Sequence, residues 1–178
     1  MPEKKVLIVV DMQHDFIDGA LGTAEAREIV DRAAEYIREK RSQGYTVIAT
    51  LDTHGEDYMK TREGRMLPVP HCIRDTEGWR LHPAIASAVA DGLLLEKPTF
   101  GSVKLPEIVA EGLAEGDGLT VELIGLCTDI CVVSNAMLLK ARFPEAEISV
   151  KADCCAGVTA AKHQAALETM ASCQINII

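Results

Sequence analysis

Short runs of consecutive apolar residues alternate along the chain with longer segments in which apolar residues recur every three or four positions. The runs are typical of strands buried on both faces, and the three-to-four spacing is typical of amphipathic helices. The predicted strands are Val6 to Val10, Tyr45 to Leu51, Leu93 to Leu95, Leu119 to Ile124, Glu147 to Val150 and Ile175 to Ile178. The predicted helices are Ala24 to Arg41, Pro106 to Ala114, Val132 to near Phe143, and Ala160 to Ala171.

This alternation of strands and helices predicts an α/β fold, with a largely parallel, six-stranded, Rossmann-like sheet in a three-layer α/β/α arrangement. We expect one domain over residues 1–178. Thr23 is placed to cap the first long helix, and Gly44 falls just past its end. The exception to the pattern is a segment at about 52–92 with weak periodicity, which predicts a long loop acting as a lid or a binding lobe.

Composition and charge narrow the class of protein. The formal net charge is −9, which argues against nucleic acid or an anionic membrane surface as a partner. No apolar stretch approaches membrane-spanning length, and the run from Val6 to Val10 is too short for the core of a signal peptide. The six cysteines lack CxxC pairs and framework spacing, so we expect reduced thiols in a cytoplasmic protein.

Three chemically complementary residues follow predicted strands. Asp11 follows the first strand, Lys97 the third and Cys131 the fourth, and ligands of open parallel sheets bind at the carboxyl ends of strands. Cys131 also lies in the first turn of a predicted helix, where oriented N–H groups favour a thiolate. Asp11 would take the thiol proton and Lys97 would stabilise the charges, while Cys131 attacks a carbonyl to form a thioester. Backbone N–H groups around Cys127 and Cys131 would hold the oxyanion.

Each of these residues also has an ordinary structural explanation. A buried cysteine on an apolar helix commonly serves as a small hydrophobic residue. Asp11 could cap the following turn, and Lys97 could be an exposed strand end before Pro98. The spacing alone leaves both interpretations open.

A possible metal site follows the second predicted strand. Asp52 and His54 are two residues apart, so an extended chain places their side chains on one face, and Glu63 and His71 follow within the long loop. Two imidazoles with one or two carboxylates suit zinc, manganese or iron. The alternatives are ordinary turn chemistry for Asp52 and His54 and a solvated charge for Glu63.

Three motifs connect the chain to a known family. They are Val9-Val10-Asp11-Met12-Gln13-His14-Asp15-Phe16, Lys97-Pro98-Thr99-Phe100 and Gly125-Leu126-Cys127-Thr128-Asp129-Ile130-Cys131-Val132. In this order they resemble the isochorismatase-like cysteine hydrolase family, whose members include nicotinamidases and other amidohydrolases. The resemblance implies a catalytic triad of Asp11, Lys97 and Cys131, and a non-proline cis peptide before Cys127. The nucleophilic cysteine favours amide hydrolysis over isochorismate cleavage.

The resemblance also bears on metal and substrate. Nicotinamidases carry Asp-x-His and a later His-Cys as metal ligands, which match Asp52, His54 and His71-Cys72, and some members add a Glu where Glu63 stands. In those enzymes the metal binds the pyridine nitrogen while the carboxamide faces the cysteine. This chain departs from them at Thr53 and Gly55, where nicotinamidases commonly have an aromatic residue and a proline.

A nicotinamidase-like site would need flat apolar walls around the ring. Phe16, Trp79 and Phe100 are the candidates, and packing in the core or an interface is an equal alternative for Trp79. The predicted reaction converts nicotinamide to nicotinic acid and ammonia. The runner-up is a related cysteine amidase acting on another small carboxamide or ureido compound. By resemblance we also expect a homo-oligomer.

Rival functions fit less well. A dinucleotide-binding fold needs a glycine-rich turn after the first strand, which is absent, so no nucleotide cofactor is expected. A receiver-type phosphoryl-transfer protein carries its Lys-Pro pair near the last strand and has no role for Cys131. A catalytically retired binding or assembly domain is the remaining non-enzyme alternative.

Overall fold

The sheet has six parallel strands and defines the architecture. The computed structural model describes residues 3–114 and 118–178. The strands are Glu3–Val10 (β1), Thr46–Asp52 (β2), Leu93–Lys97 (β3), Gly118–Leu126 (β4), Glu147–Ala156 (β5) and Asn176–Ile177 (β6). They pair in the order β3-β2-β1-β4-β5-β6, and every pairing is parallel. The predicted α/β class and parallel sheet are confirmed.

Helices connect the strands and cover the sheet. They are His14–Ile17 (α1), Ala24–Glu28 (α2), Val30–Ser42 (α3), Arg62–Met66 (α4), Pro83–Val89 (α5), Lys104–Ala110 (α6), Val133–Arg142 (α7) and Ala160–Ser172 (α8). A 3₁₀ turn spans Tyr58–Lys60 and a π turn spans Thr128–Val132. Among the residues described, no helix is long and apolar enough to cross a membrane.

Two apolar cores lie on opposite faces of the sheet. Along β1, Val6, Ile8 and Val10 belong to one core and Leu7 and Val9 to the other, and all five are fully buried. Period-two alternation divides a continuous apolar run between the two faces. Burying one such side chain contributes about 1.5–3 kcal/mol, so the unbroken apolar runs of the sequence are what fix a sheet covered by helices on both sides.

The first predicted helix is two helices. α2 ends at Glu28 and α3 begins at Val30, with a turn at Ile29. Thr23 caps α2 as expected, since its hydroxyl accepts the Ala26 N–H at 3.0 Å. The apolar spacing continues through the turn because Ile29 keeps near-helical dihedral angles (φ −87°, ψ −11°), which explains why the sequence predicted a single helix.

The segment from 52 to 92 is more ordered than its weak periodicity predicted. It contains the 3₁₀ turn, α4 and α5. An isolated bridge between Gln13 and Leu81 ties it to the residues after β1, and a second bridge, between His54 and Ile73, lies within the segment itself. Its role as a lid stays a prediction.

The strand order reverses between β1 and β4, which opens a crevice at their carboxyl ends. Val10 of β1 pairs there with Gly125 of β4. Gly125 has φ +119°, and a Cβ at this position would lie 2.1 Å from the Val10 carbonyl oxygen. Only glycine permits this close approach, so Gly125 lets β4 end against β1 directly before the Cys127–Cys131 turn.

Candidate active site

Asp11, Lys97 and Cys131 meet at the carboxyl end of the sheet. Lys97 Nζ lies 2.6 Å from Asp11 Oδ2 and 3.5 Å from Cys131 Sγ. Lys97 Nζ also donates to the Thr99 carbonyl oxygen at 3.0 Å. Asp11 and Lys97 are fully buried and Cys131 is 5% exposed. The ammonium group therefore contacts both the carboxylate and the sulfur in a site that bulk water barely reaches.

Asp11 is held from the neighbouring strand. The Thr50 hydroxyl donates to Asp11 Oδ1 at 2.6 Å, and the Asp11 N–H donates to the Thr50 carbonyl oxygen at 3.2 Å. Asp11 has φ +48°, a left-handed conformation that aspartate tolerates better than most residues. Sequence reasoning missed Thr50, which lies within an apolar run and gives no sign of its partner.

Burial and the charges of the site favour the protonated thiol form of Cys131. Burial first, and then the charge of Asp11, raise the pKa of Cys131 well above its ordinary value, while Lys97 acts in the opposite direction. Burial also raises the pKa of Asp11. Burial lowers the pKa of Lys97, but Asp11, Cys131 and Asp52 together raise it overall. The helix start alone therefore does not ionise Cys131, contrary to the sequence-based expectation.

The turn that carries Cys131 is a π turn rather than an ordinary helix start. Its residues Thr128–Val132 follow a cis peptide between Leu126 and Cys127. The N–H groups of Ile130 and Val132 both donate to the Cys127 carbonyl oxygen, at 3.0 and 3.1 Å. These bonds hold the backbone on both sides of Cys131 against the Cys127 carbonyl group.

Asp52, His54, Glu63 and His71 form a second group of side chains beside the triad. Asp52 Oδ2 lies 3.0 Å from His54 Nε2 and 3.4 Å from His71 Nε2. Glu63 Oε1 lies 3.6 Å from His54 Nε2 and 3.7 Å from His71 Nε2. All four ligand atoms lie within 4.8 Å of one another. Ligands at about 2.0–2.2 Å from a zinc ion are about 3.0–3.6 Å apart, so the donor set and spacing fit a divalent transition metal.

The supporting bonds orient these ligands. His71 Nδ1 is 2.8 Å from the Val69 carbonyl oxygen, which directs Nε2 toward the group. Gln13 bonds both backbone groups of Asp52, donating to its carbonyl and accepting from its N–H, each at 2.8 Å. Burial raises the pKa of Asp52, but hydrogen bonds from His54 and His71 lower it overall. Asp52 is therefore held as a carboxylate, the form that binds a cation.

A cavity of about 270 Å³ joins the two groups. Its polar lining comes from Thr23, Asp52, Glu63, His71, Cys127 and Cys131. Its apolar lining comes from Phe16, Leu21, Leu67, Phe100, Ile130 and Val158. Cys131 and three of the candidate metal ligands thus face one mostly apolar space.

A family model described as the isochorismatase domain matches residues 5–178. The chain belongs to this family. It is 29% identical over 189 residues to a nicotinamidase/pyrazinamidase of Mycobacterium tuberculosis, with 98% of each chain covered.

Solved structures agree with the sequence comparison. The pyrazinamidase of Pyrococcus horikoshii, solved in complex with zinc, is 29% identical over 98% of both chains, with a TM-score of 0.80. The N-carbamoylsarcosine amidase of Thermoplasma acidophilum is 27% identical, covering 99% of this chain and 95% of its own, with a TM-score of 0.76. Family membership and these relatives indicate that the chain is an amide-bond hydrolase.

The predicted aromatic residues lie in different places. Phe16 and Phe100 line the cavity, whereas Trp79 is not among the residues that line it. Trp79 Nε1 donates to the Thr53 hydroxyl at 2.8 Å, and its carbonyl oxygen accepts from Gln13. Trp79 therefore supports the backbone beside His54. Leu21, Leu67 and Val158 were missed, because single apolar residues in loops carry no signal of what they face.

Proposed function

We propose that this chain hydrolyses the carboxamide of nicotinamide to nicotinic acid and ammonia through a thioester on Cys131. One observation carries the proposal: a single cavity is lined by Cys131, beside Asp11 and Lys97, and by Asp52, Glu63 and His71 of the candidate metal site. A flat heteroaromatic amide carries two functional groups that fit these two parts of the cavity. Its carboxamide would face the Cys131 sulfur, and its ring nitrogen would face the candidate metal site.

The first half of the reaction forms the thioester. Asp11, whose raised pKa suits it to accept a proton, takes the proton of the Cys131 thiol. The sulfur attacks the carbonyl carbon, and backbone N–H groups around Cys127 and Cys131 hold the oxygen as it becomes negative. The tetrahedral intermediate collapses when Asp11 returns the proton to the departing nitrogen, which releases ammonia. Lys97 stays protonated and balances whichever of its two neighbours is negative.

The second half of the reaction regenerates the enzyme. Asp11 accepts a proton from a water molecule, which attacks the thioester carbonyl carbon. The C–S bond breaks, nicotinic acid forms, and the proton held by Asp11 returns to the sulfur. The same base therefore serves both halves, and the sum is the addition of one water to one amide.

Asp52, His54, Glu63 and His71 would hold a divalent metal ion beside the ring. Such an ion would supply a Lewis acid for the ring nitrogen, which would help orient the substrate. The Pyrococcus horikoshii pyrazinamidase was solved in complex with zinc, which supports metal binding by this chain. The metal that this chain takes, among zinc, manganese and iron, is part of the proposal.

The lining of the cavity also bears on the alternative function, a related cysteine amidase acting on another small carboxamide or ureido compound. The N-carbamoylsarcosine amidase relative acts on a ureido compound that carries a carboxylate. Among the described residues that line the cavity, none is a lysine or an arginine, and Lys97 behind the wall is paired with Asp11. An anionic substrate would find the carboxylates of Asp52 and Glu63 and no free lysine or arginine, which favours a neutral aromatic amide over a ureido acid.

Ammonia release tests the proposal. The purified chain is assayed with nicotinamide, benzamide and N-carbamoylsarcosine, after dialysis against chelator and again after adding zinc, manganese or iron(II). We expect turnover of nicotinamide that requires metal, weak turnover of benzamide, which lacks the ring nitrogen, and none of N-carbamoylsarcosine. Cys131→Ala should abolish turnover and Cys173→Ala should keep it. Preferred turnover of N-carbamoylsarcosine, or retained activity in Cys131→Ala, would refute the proposal. The expected homo-oligomer is tested separately, by light scattering.

A further inference from the structure

Two side-chain bonds connect the Cys131 turn to the start of α8. Thr128, the first residue of the π turn, is fully buried, and its hydroxyl lies 2.7 Å from His163 Nδ1. Asp129 Oδ1 accepts the Val158 N–H at 2.9 Å. His163 follows Thr128 by 35 residues, so these contacts are long-range features of the fold and belong to neither element alone.

The backbone around these hydrogen bonds is tightly packed. A Cβ at Gly157 would lie 2.8 Å from the backbone nitrogen of His163 and 2.9 Å from Asp129 Oδ1. The backbone before α8 therefore lies directly against the turn that carries Cys131. Val158, which is bonded to Asp129, also lines the substrate cavity. Any movement of this loop would be transmitted to the π turn.

The polarity of the bond follows from the state of His163. Burial lowers the pKa of His163 overall, although Asp129 acts in the opposite direction, so the imidazole is neutral near pH 7. A neutral imidazole can accept a hydrogen bond from the Thr128 hydroxyl at Nδ1. The hydroxyl is then committed to His163, and the backbone between Cys127 and Asp129 is held in one orientation.

We infer that His163 is a positioning residue that holds the oxyanion-binding backbone of the Cys131 turn in place through Thr128. The inference rests on the proposed function, because it assigns those N–H groups to an oxyanion. Groups fixed before the reaction stabilise developing charge best, and direct loss of one oxyanion donor costs about 10²–10³ in kcat. An indirect loosening should cost about tenfold, and it should act on kcat rather than on KM because the oxyanion forms only after binding.

Kinetics on five variants test the inference. We expect His163→Leu and Thr128→Val each to lower kcat about tenfold with KM unchanged, and the double variant to be no worse than either. His163→Asn, which returns an acceptor near the Nδ1 position, should recover most of the activity. Gln164→Leu, a change on the exposed neighbour in α8, is the matched control. Unfolding midpoints separate a kcat effect from lost protein.

The outcomes distinguish this inference from the proposed function. Wild-type kcat in His163→Leu, additive losses in the double variant, or an Asn variant as poor as Leu would each overturn it. If no amide is turned over, the proposed function fails first, and alkylation of Cys131 by iodoacetamide replaces the assay. Loosening the turn should then speed alkylation severalfold in His163→Leu but not in His163→Asn or Gln164→Leu. Equal rates in all three would overturn the inference.

Discussion

Asp52 Oδ1 lies 3.8 Å from Lys97 Nζ, and neither side chain is more than 5% exposed. The other oxygen of the same carboxylate faces His54 and His71. Asp52 therefore belongs to the candidate metal site through one oxygen and to the triad's electrostatics through the other. Because Coulomb interactions are strong where water is excluded, a change of charge at Asp52 should be felt at Cys131.

Neutralising Asp52 should make Cys131 more reactive while weakening metal binding. The Asp52 charge is among the causes that raise the pKa of Cys131, so Asp52→Asn should lower that pKa and increase the thiolate fraction at pH 8. We expect severalfold faster alkylation of Cys131 in chelator-treated protein, measured by mass spectrometry of the labelled peptide. Alkylation slower than in the wild type would contradict this electrostatic link.

His71→Asn is the matched control for that experiment. It removes a candidate metal ligand without removing a negative charge, so metal affinity should fall while the alkylation rate stays near the wild-type rate. Both variants should lower metal affinity about 10-fold or more, since a ligand is lost in each. Metal content after dialysis is the measurement.

The buried Asp11–Lys97 pair should dominate the cost of substitutions in the triad. Lys97→Met leaves the Asp11 carboxylate buried without its cation, and breaking such a pair costs about 3–5 kcal/mol. Asp11→Asn combined with Lys97→Met removes both charges, and asparagine tolerates the left-handed backbone at this position. We expect the double variant to be more stable toward urea than Lys97→Met alone. Additive losses would show that the two side chains do not interact.

The apolar runs placed Asp11, Lys97 and Cys131 at strand ends, and the family resemblance identified them as a predicted triad. Where β1, β3 and β4 end is readable from hydrophobicity, and parallel strands bring their carboxyl ends to one edge of the sheet. β1, β3, β4 and β5 extend beyond the predicted strands, whereas β6 is shorter than the predicted Ile175 to Ile178. β5, predicted to end at Val150, continues to Ala156. Its pairing with β4 shifts register after Val150 and resumes at Cys155, so Lys151 and Asp153 lie in an irregular stretch where the apolar pattern breaks.

The sequence could not predict contacts between side chains that are distant along the chain and lie in turns or loops. No sequence pattern around Thr50 or His163 indicates its hydrogen-bond partner, because each bond depends on how two elements pack. The π turn was also beyond prediction: apolar spacing in Val132 to Leu139 indicates a helix but not the wider turn before it. The same holds for Trp79, whose contact with Thr53 comes from the fold of the 52–92 segment.

Glu122 provides a pH-dependent contribution to stability outside the active site. It accepts hydrogen bonds from Tyr36, from Lys40 at 2.8 Å and from Tyr45 at 2.8 Å. Burial raises the pKa of Glu122, but the bonds from Lys40, Tyr36 and Tyr45 lower it overall from 4.5. The unfolded chain therefore binds the proton more readily. The contribution is complete above pH 4.5 and is lost as the pH falls through the lower folded-state pKa.

Glu122→Gln should remove this dependence. We expect a loss of about 1.5–3 kcal/mol near pH 7, because hydrogen bonds to a charged group are lost, and a smaller difference from the wild type as the pH falls below 4.5. Urea unfolding between pH 3.5 and 7 measures both. Glu145→Gln, a change outside this cluster, should leave the curve unchanged. A difference that stays constant with pH would mean that ionised Glu122 is not the source.

Substitutions at Phe100 and Trp79 should distinguish a residue that binds the substrate ring from one that stabilises the backbone near the site. Phe100 lines the cavity at 48% exposure, so Phe100→Ala should raise KM for nicotinamide severalfold through lost apolar contact with the ring. Trp79→Phe keeps an aromatic ring and removes only the bond to Thr53, which should cost about 0.5–1.5 kcal/mol of stability and leave KM near the wild-type value. Steady-state kinetics and urea unfolding on both variants give the comparison. The assignment of the ring-binding wall to Phe100 would be wrong if KM rose in the Trp79 variant and not in the Phe100 variant.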